Sequence, residues 1–190
     1  GASERQDAYA LGQVAATVAR SLLPHVDPAG RLVVLGHSFG GVIALALATG
    51  WFGVVPHRVY GLGIKVGWTE DELRRMQALA AQPARFFATQ DEASDRYLKV
   101  SGLAGIAAHD SPVAIRGVVR EQGETPSRLA MDPRAFGVGK PPAAELVQLA
   151  QCPAQLGRGA GDALVTLEQL RAIDPAAVGL GPHGHNLMVE

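Results

Sequence analysis

A glycine-flanked serine, placed between an apolar strand and an alanine-rich helix, constrains this chain more than any other sequence feature. Residues 32–35 are apolar and β-branched, residues 36–40 read Gly-His-Ser-Phe-Gly, and residues 39–49 predict a helix. The pattern G-x-S-x-G between a strand and a helix is typical of a sharp turn that holds its serine, here Ser38, exposed on strained backbone. Glycine is expected on both sides of Ser38, because a side chain there would collide with the neighbouring strand or helix.

A second apolar segment, Val54–Ile64, predicts a strand that follows this helix after a short loop. A strand, a helix and a strand joined in this way form a parallel βαβ unit. The chain has 190 residues, of which 47% are hydrophobic and 18% charged, as in an ordinary globular protein. We therefore expect an α/β fold with a mostly parallel sheet flanked by helices.

Charge and composition exclude several classes of function. The 17 basic and 18 acidic residues nearly cancel, and no run of like charge predicts a nucleic-acid surface. No apolar segment is long enough for a membrane span and no signal peptide is visible, so we expect a cytoplasmic protein. The single cysteine, Cys152, excludes an internal disulfide and is expected to begin a buried strand.

The alternation of strands and helices is interrupted in the middle of the chain. A helix is expected over residues 3–23, with Ser3 and Gln6 as a capping box. After Gly67, helices are expected at 69–81, 91–100 and 112–122, and no strong strand before Cys152. We predict that residues 68–140 form a helical cap on a core made of residues 1–67 and 141–190. The alternative is a set of peripheral helices with no role as a lid. Four aromatic side chains are candidates to line an apolar acyl pocket in the cap: Trp68, Phe86, Phe87 and Tyr97.

Two further loops carry residues that a nucleophilic serine requires. A helix is expected at 143–150, a strand at 152–156, a helix capped by Thr166 and Gln169, and a last strand at 178–180. Asp162 follows the first of these strands and His185 follows the second. A serine hydroxyl needs a base to take its proton and a carboxylate to orient that base. The order Ser, Asp, His, with each residue after its own strand, is the order found in α/β-hydrolases.

The turn Gly36-His37-Ser38-Phe39-Gly40, which we call the elbow, the Asp162 loop and the segment Gly184-His185-Asn186 together resemble the α/β-hydrolase-fold family, in its capped, single-domain form. The resemblance implies that Ser38 is the nucleophile, Asp162 the acid and His185 the general base. It also implies that the Phe39 N–H is one donor of the oxyanion hole. Neither a metal nor a cofactor is expected.

Alternatives exist for the acid and the base. Asp174 is the other acid in this region, but it follows a helix rather than a strand. His183 is an alternative base, or a metal ligand together with His185. The remaining histidines are expected to be structural in the case of His37 and surface residues in the case of His25, His57 and His109.

One part of the family pattern is missing from the sequence. The second oxyanion donor of the family comes from an upstream loop that is usually marked by His-Gly. Only one helix precedes the strand before Ser38, and residues 1–3 resemble the tail of the family's Gly-His-Gly-x-Ser turn. We therefore expect a fragment that lacks N-terminal strands and a closing C-terminal helix, or a chain whose remaining elements are supplied by further residues or by another chain.

The expected function is hydrolysis of a carboxylic ester or related acyl compound, with a small-molecule acyl substrate as the partner. Acyltransferase or C–C hydrolase chemistry uses the same triad and remains open. A ligand-binding protein that keeps the scaffold with slow or no turnover is the other alternative. The oligomeric state is left open.

Overall fold

The computed structural model describes residues 5–27, 29–120 and 127–190. Its elements in chain order are α1 (Leu11–Leu22), β1 (Val33–His37), α2 (Phe39–Ala48), β2 (Arg58–Leu62), α3 (Glu70–Ala80), β3 (Phe86–Phe87), α4 (Gln90–Val100), α5 (Pro112–Arg116), β4 (Val118–Arg120), β5 (Ser127–Leu129), α6 (Ala143–Leu149), β6 (Ala154–Arg158), α7 (Leu167–Arg171) and β7 (Val178–Gly179). Two 3₁₀ turns, Leu23–His25 and Pro133–Val138, complete them.

The described residues form two compact units. The first, which we call the sheet unit, contains residues 10–70, 140–188 and 190. The second, which we call the insertion unit, contains the described residues of 1–9 and 71–139, together with Val189. The role of residues 68–140 as a cap stays a prediction.

The sheet unit is built on a four-stranded parallel sheet with the order β1-β2-β6-β7. In the register, Val34 lies beside Val59, and Gly61 lies beside Leu156. Because the strands are parallel, their carboxyl ends share one edge of the sheet, which is where open α/β sheets bind ligands. The predicted α/β class with a mostly parallel sheet and flanking helices is confirmed.

Helix α2 is the centre of the core in this unit. Its residues 41–48 are all buried, and it packs against β1, β2, α1 and α6. An apolar helix with no polar face has to be covered on all sides, which explains its central position. The helix that begins at the elbow is therefore a fixed base for Ser38.

Helix α1 begins later than the sequence suggested. The predicted start, Ser3, lies outside the described residues, and the helix begins only at Leu11. The Gln13 side chain accepts a hydrogen bond from the Ala10 N–H at 3.1 Å and so caps the helix at this point. From this start onwards, its apolar side chains Leu11, Val14, Ala15 and Val18 belong to the core cluster around α2.

The insertion unit contains a small antiparallel sheet, with the order β3-β5-β4, that the sequence analysis did not predict. The predicted helix 112–122 is wrong beyond Arg116, since the chain continues as strand β4; Gln122 itself lies outside the described residues. Gly117 ends the helix under the ring of Tyr97, where a Cβ would come within 2.4–2.5 Å of the ring atoms. The β-branched pair after Gly117 then pairs with β5.

Two strands of the sheet unit differ from their expected bounds. The segment predicted as one strand, Val54–Ile64, is extended only over β2, because Pro56 precedes the ladder and Gly63 ends it at a φ of 60°. The strand expected to begin at Cys152 begins at Ala154. Cys152 instead packs partly buried against the core, and burial raises the pKa of its thiol. Across the described residues, no helix combines the length and the apolar character that a membrane crossing requires.

Candidate active site

Ser38 occupies a strained turn between β1 and α2. It is the only described non-glycine residue with a positive φ, at φ 52° and ψ −123°. Its N–H donates to the Leu62 carbonyl at 2.8 Å, which ties the turn to the end of β2. Phe39 follows as the first residue of α2, and the first N–H groups of a helix have no partner within it.

Glycine is required at the turn because the backbone closes on itself there. A Cβ on Gly36 would lie 2.2 Å from the Gly40 carbonyl oxygen, and one on Gly41 would lie 2.7 Å from the Ile64 side chain. Gly40 has open space around it, so the second glycine of the motif is not demanded by contact. The steric reason predicted from the sequence therefore applies to Gly36 and to Gly41, but not to Gly40.

Asp162 and His185 form a hydrogen-bonded pair. His185 Nδ1 lies 3.0 Å from Asp162 Oδ2, and the Asp162 side chain is fully buried. The other oxygen, Oδ1, accepts a hydrogen bond from the Leu164 N–H at 2.8 Å. A neutral imidazole donates from one ring nitrogen only, so Nδ1–H donates to Asp162 and Nε2 is left as the acceptor.

Backbone hydrogen bonds join the two loops that carry this pair. The Gly161 N–H donates to the His183 carbonyl at 2.8 Å, and the Ala160 N–H donates to the Gly181 carbonyl at 3.0 Å. A Cβ on Gly159 would lie 2.2 Å from the His183 oxygen, so the loops touch backbone to backbone. The Arg158 side chain also donates to the Asp162 carbonyl at 2.6 Å and so helps to fix the loop that carries Asp162.

The histidine loop is also fastened to the elbow through His37. His37 Nε2 donates to the His185 carbonyl oxygen at 2.8 Å, and the two rings lie 4.6 Å apart between centroids. The nitrogen must carry the proton, because a carbonyl can only accept. Burial lowers the pKa of His37, and the nearby His185 adds to this effect, while the hydrogen bond to the carbonyl and the Asp162 charge oppose it.

Gly63, at the end of β2, borders the same pair. A Cβ on Gly63 would lie 3.2 Å from Asp162 Oδ2 and 3.2 Å from His185 Nδ1. Ser38 binds to Leu62 and follows His37, so the elbow, the end of β2 and the Asp162–His185 pair meet at the carboxyl edge of the sheet. No hydrogen bond joins the Ser38 hydroxyl to His185 in this structure. Such contacts are often long without substrate and tighten in the reacting complex.

Asp174, the alternative acid, accepts hydrogen bonds from backbone N–H groups. Its Oδ2 accepts from the Leu156 N–H at 2.7 Å and its Oδ1 accepts from the Ala176 N–H at 3.0 Å. Both oxygens are therefore used at a buried position between β6 and the loop before β7. Asp174 forms no hydrogen bond with His185, whereas Asp162 forms one.

The other histidines do not join this cluster through their side chains. His183 contributes its backbone carbonyl to the loop contact, and its ring lies against Gly181. In the described part of the chain, no side-chain hydrogen bond or ring contact links His25, His57 or His109 with the cluster. Within residues 5–27, 29–120 and 127–190, no group of three or more His, Cys, Asp or Glu side chains is arranged to hold a metal ion.

Two contacts were not visible in the sequence. His37 was expected to be structural, but its contact with His185 could not be derived, because 148 residues separate them. The Glu190 carboxylate accepts hydrogen bonds from the Gly184 and Asn186 N–H groups, on both sides of His185. Neither spacing nor composition signals these contacts, since both depend on how the loops fold.

Comparison with known proteins identifies the fold. No protein-family model matches the sequence, and no curated protein matches it. Among solved structures, the chain superposes on a thioesterase domain from the curacin biosynthetic pathway with a TM-score of 0.74 and 19% identity, over 100% of this chain and 73% of the other. An esterase of M. tuberculosis gives a TM-score of 0.72 at 17% identity, over 100% and 68% of the two chains. The chain has an α/β-hydrolase fold.

A third neighbour, E-2-(acetamidomethylene)succinate hydrolase, has a TM-score of 0.66 and 18% identity, and covers 100% of this chain and 72% of that one. The predicted resemblance to the α/β-hydrolase family is thus confirmed at the level of the fold. In this fold the nucleophile, the acid and the base come in the chain order Ser, Asp, His. Ser38, Asp162 and His185 follow β1, β6 and β7 in that order.

The contact between His37 and His185 predicts a pH-dependent stability. Because the pKa of His37 is lowered, the unfolded chain binds a proton at a higher pH than the folded chain does. The free energy of unfolding should therefore fall as the pH decreases through about 6.5, the ordinary pKa of histidine. In His37→Leu, which cannot bind this proton, the fall should be shallower. At neutral pH the variant should lose about 0.5–1.5 kcal/mol with its hydrogen bond.

Urea unfolding between pH 5 and 8 measures both effects. His25→Leu, at an exposed residue on the 3₁₀ turn after α1, is the matched control and should follow the wild-type curve. The prediction would be contradicted if the free energy of unfolding changed with pH by the same slope in His37→Leu and in the wild type.

Proposed function

We propose that this protein is a serine hydrolase that cleaves carboxylic esters or related acyl compounds through a covalent acyl-enzyme. The observation that carries the proposal is a serine on strained backbone at the edge of the sheet where a histidine–aspartate pair also lies. The similarity to an esterase, a thioesterase and a further hydrolase supports hydrolytic chemistry.

In the proposed mechanism, Ser38 Oγ attacks the carbonyl carbon of the substrate, and His185 Nε2 takes the hydroxyl proton. A C–O bond forms, and the carbonyl oxygen becomes an oxyanion in reach of the Phe39 N–H. The bond to the leaving alkoxide then breaks, and His185 gives its proton to that oxygen. The acyl group remains on Ser38 as an ester.

Deacylation repeats these steps with water. His185 Nε2 takes a proton from a water molecule, which attacks the acyl carbon, and the same proton returns to Ser38 as the carboxylic acid leaves. The buried Asp162 carboxylate keeps the proton of the neutral ring on Nδ1 and stabilises the positive charge of the ring in each step. His37 is proposed as a positioning residue, since it holds the backbone of His185 rather than the substrate.

Covalent labelling tests this function. We expect a fluorophosphonate to modify the protein at Ser38, identified by mass analysis of the peptide that carries it, and p-nitrophenyl acetate or butyrate to be hydrolysed. Heat-denatured protein is the control, since it retains the serine but not the site. No labelling and no hydrolysis by the folded protein would contradict the proposal and favour a binding protein on a hydrolase scaffold.

A further inference from the structure

The insertion unit contains a cavity of about 480 Å³ that the proposed chemistry does not use. It lies between α3, β3, α4, β5 and the 3₁₀ turn Pro133–Val138, so all of its walls belong to this one unit. Small-molecule sites in proteins commonly measure about 300–1,000 Å³. The cavity is therefore large enough for a ligand.

Most of the residues that line the cavity are apolar, and every element around the cavity contributes at least one of them. The main contributors are Leu79, Phe87, Val100, Leu129, Met131 and Phe136. Leu79, Val100 and Met131 keep 39–44% of their surface exposed, although they are large hydrophobic side chains. An alkyl chain in the cavity would remove this surface from water, which is the main source of affinity for such a ligand.

Among the residues that the structure describes, Arg85 and Arg96 are the only charged ones that line the cavity. The Arg85 guanidinium lies 5.1 Å from the ring centroid of Phe87, itself a wall of the cavity. Arg96 and Val100 are four residues apart on α4 and share one face of the helix. Within the described part of the chain, neither guanidinium forms an ion pair.

In the described residues, the lining combines apolar walls with two arginines that form no ion pair and contains no acidic side chain. Such a cavity is complementary to one kind of small molecule. We propose that it binds a fatty carboxylate, with the alkyl chain between the apolar walls and the carboxylate at Arg85 and Arg96. Guanidinium groups match a carboxylate in geometry as well as in charge. The proposal does not rest on the proposed function, because no residue of the candidate active site lines this cavity.

Calorimetric titration of the full chain tests separately the role of the carboxylate and the role of the alkyl chain. Decanoate should bind at least tenfold more tightly than 1-decanol, which has the same chain length without the charge, and than decyltrimethylammonium, which has the opposite charge. Butyrate, which has the charge without the chain, should show no measurable binding. Decanoate affinity should also fall as the salt concentration rises.

Variants assign the binding to this cavity. Arg85→Gln with Arg96→Gln should weaken decanoate binding at least tenfold and leave decanol binding unchanged. Arg74→Gln with Arg75→Gln, on α3 but outside the cavity lining, is the matched control and should bind like the wild type. Val100→Trp, which fills the cavity from an exposed helix end, should weaken binding of both ligands. Ser38→Ala should bind decanoate normally, so a failure of the proposed catalysis would not affect this result.

Three outcomes would overturn the proposal. Equal affinities for decanoate and decanol would remove the role of the arginines. Decanoate binding that persists in Val100→Trp would place the ligand elsewhere. A dimer that dissociates in Val100→Trp, without any decanoate binding, would identify the apolar walls as an interface between two copies of the chain.

Discussion

Replacing Ser38 by alanine should lower kcat for p-nitrophenyl butyrate by about 10⁶-fold, the usual cost of losing the nucleophile of a Ser-His-Asp triad. Alanine keeps the Cβ and removes only the hydroxyl, so the turn at φ 52° should be kept and the substrate should still bind. The loss should therefore fall on kcat and leave KM within a few-fold. Fluorophosphonate labelling should disappear together with the activity.

The matched control is Ser21→Ala, on the exposed face of α1, where the hydroxyl bonds only to the Thr17 carbonyl. It should retain full activity and labelling. Activity of Ser38→Ala within tenfold of the wild type would show that another group reacts, even if the protein is an esterase. Circular dichroism of both variants would check that the folds are equal.

Exchanging the two buried aspartates for asparagine should separate catalysis from stability. Asp162→Asn should lower kcat by about 10⁴-fold, because the amide favours the wrong tautomer of His185 and does not stabilise its positive charge. The same change at Asp174 should leave kcat of the folded protein within a few-fold. It should instead reduce the free energy of unfolding by about 1–3 kcal/mol.

The loss of stability expected for Asp174→Asn follows from the number of acceptor oxygens in the side chain. Asp174 accepts one hydrogen bond on each oxygen, from the Leu156 and Ala176 N–H groups. An asparagine has only one acceptor oxygen, so one of these buried donors would lose its partner. Steady-state kinetics and urea unfolding of both variants provide the comparison. A large loss of kcat in Asp174→Asn, with activity retained in Asp162→Asn, would reverse the assignment of the acid.

The strand, turn and helix around Ser38 could be predicted because their determinants are local. A strand, a tight turn and a helix follow one another within residues 32–49, and Gly36 is demanded by atoms only four residues further along the chain. The position of Asp162 after a strand favoured it over Asp174 for the same local reason. The hydrogen bonds that occupy Asp174 depend on residues up to 18 positions away, and no spacing rule shows them.

The insertion could not be predicted to the same depth. Strands β3, β4 and β5 have two or three residues each, too few for a period-two pattern to stand out. Of the four aromatic residues proposed to line a pocket, only Phe87 lines the cavity of the insertion unit. Tyr97 packs over Gly117, and the Trp68 indole donates to the Lys65 carbonyl in the sheet unit. Aromatic character alone does not distinguish these roles.

The absent side chain of Gly63 has a consequence for how related sequences should be classified. Any other residue there would have to adopt a φ of 60° and push Asp162 and His185 apart by a few tenths of an ångström. Displacements of this kind are enough to slow a reaction whose groups must be aligned. A homologue could thus retain serine, aspartate and histidine and still have lost its activity. The proposed catalytic set is therefore best recognised in related sequences by four positions, which are Ser38, Asp162, His185 and the glycine at 63.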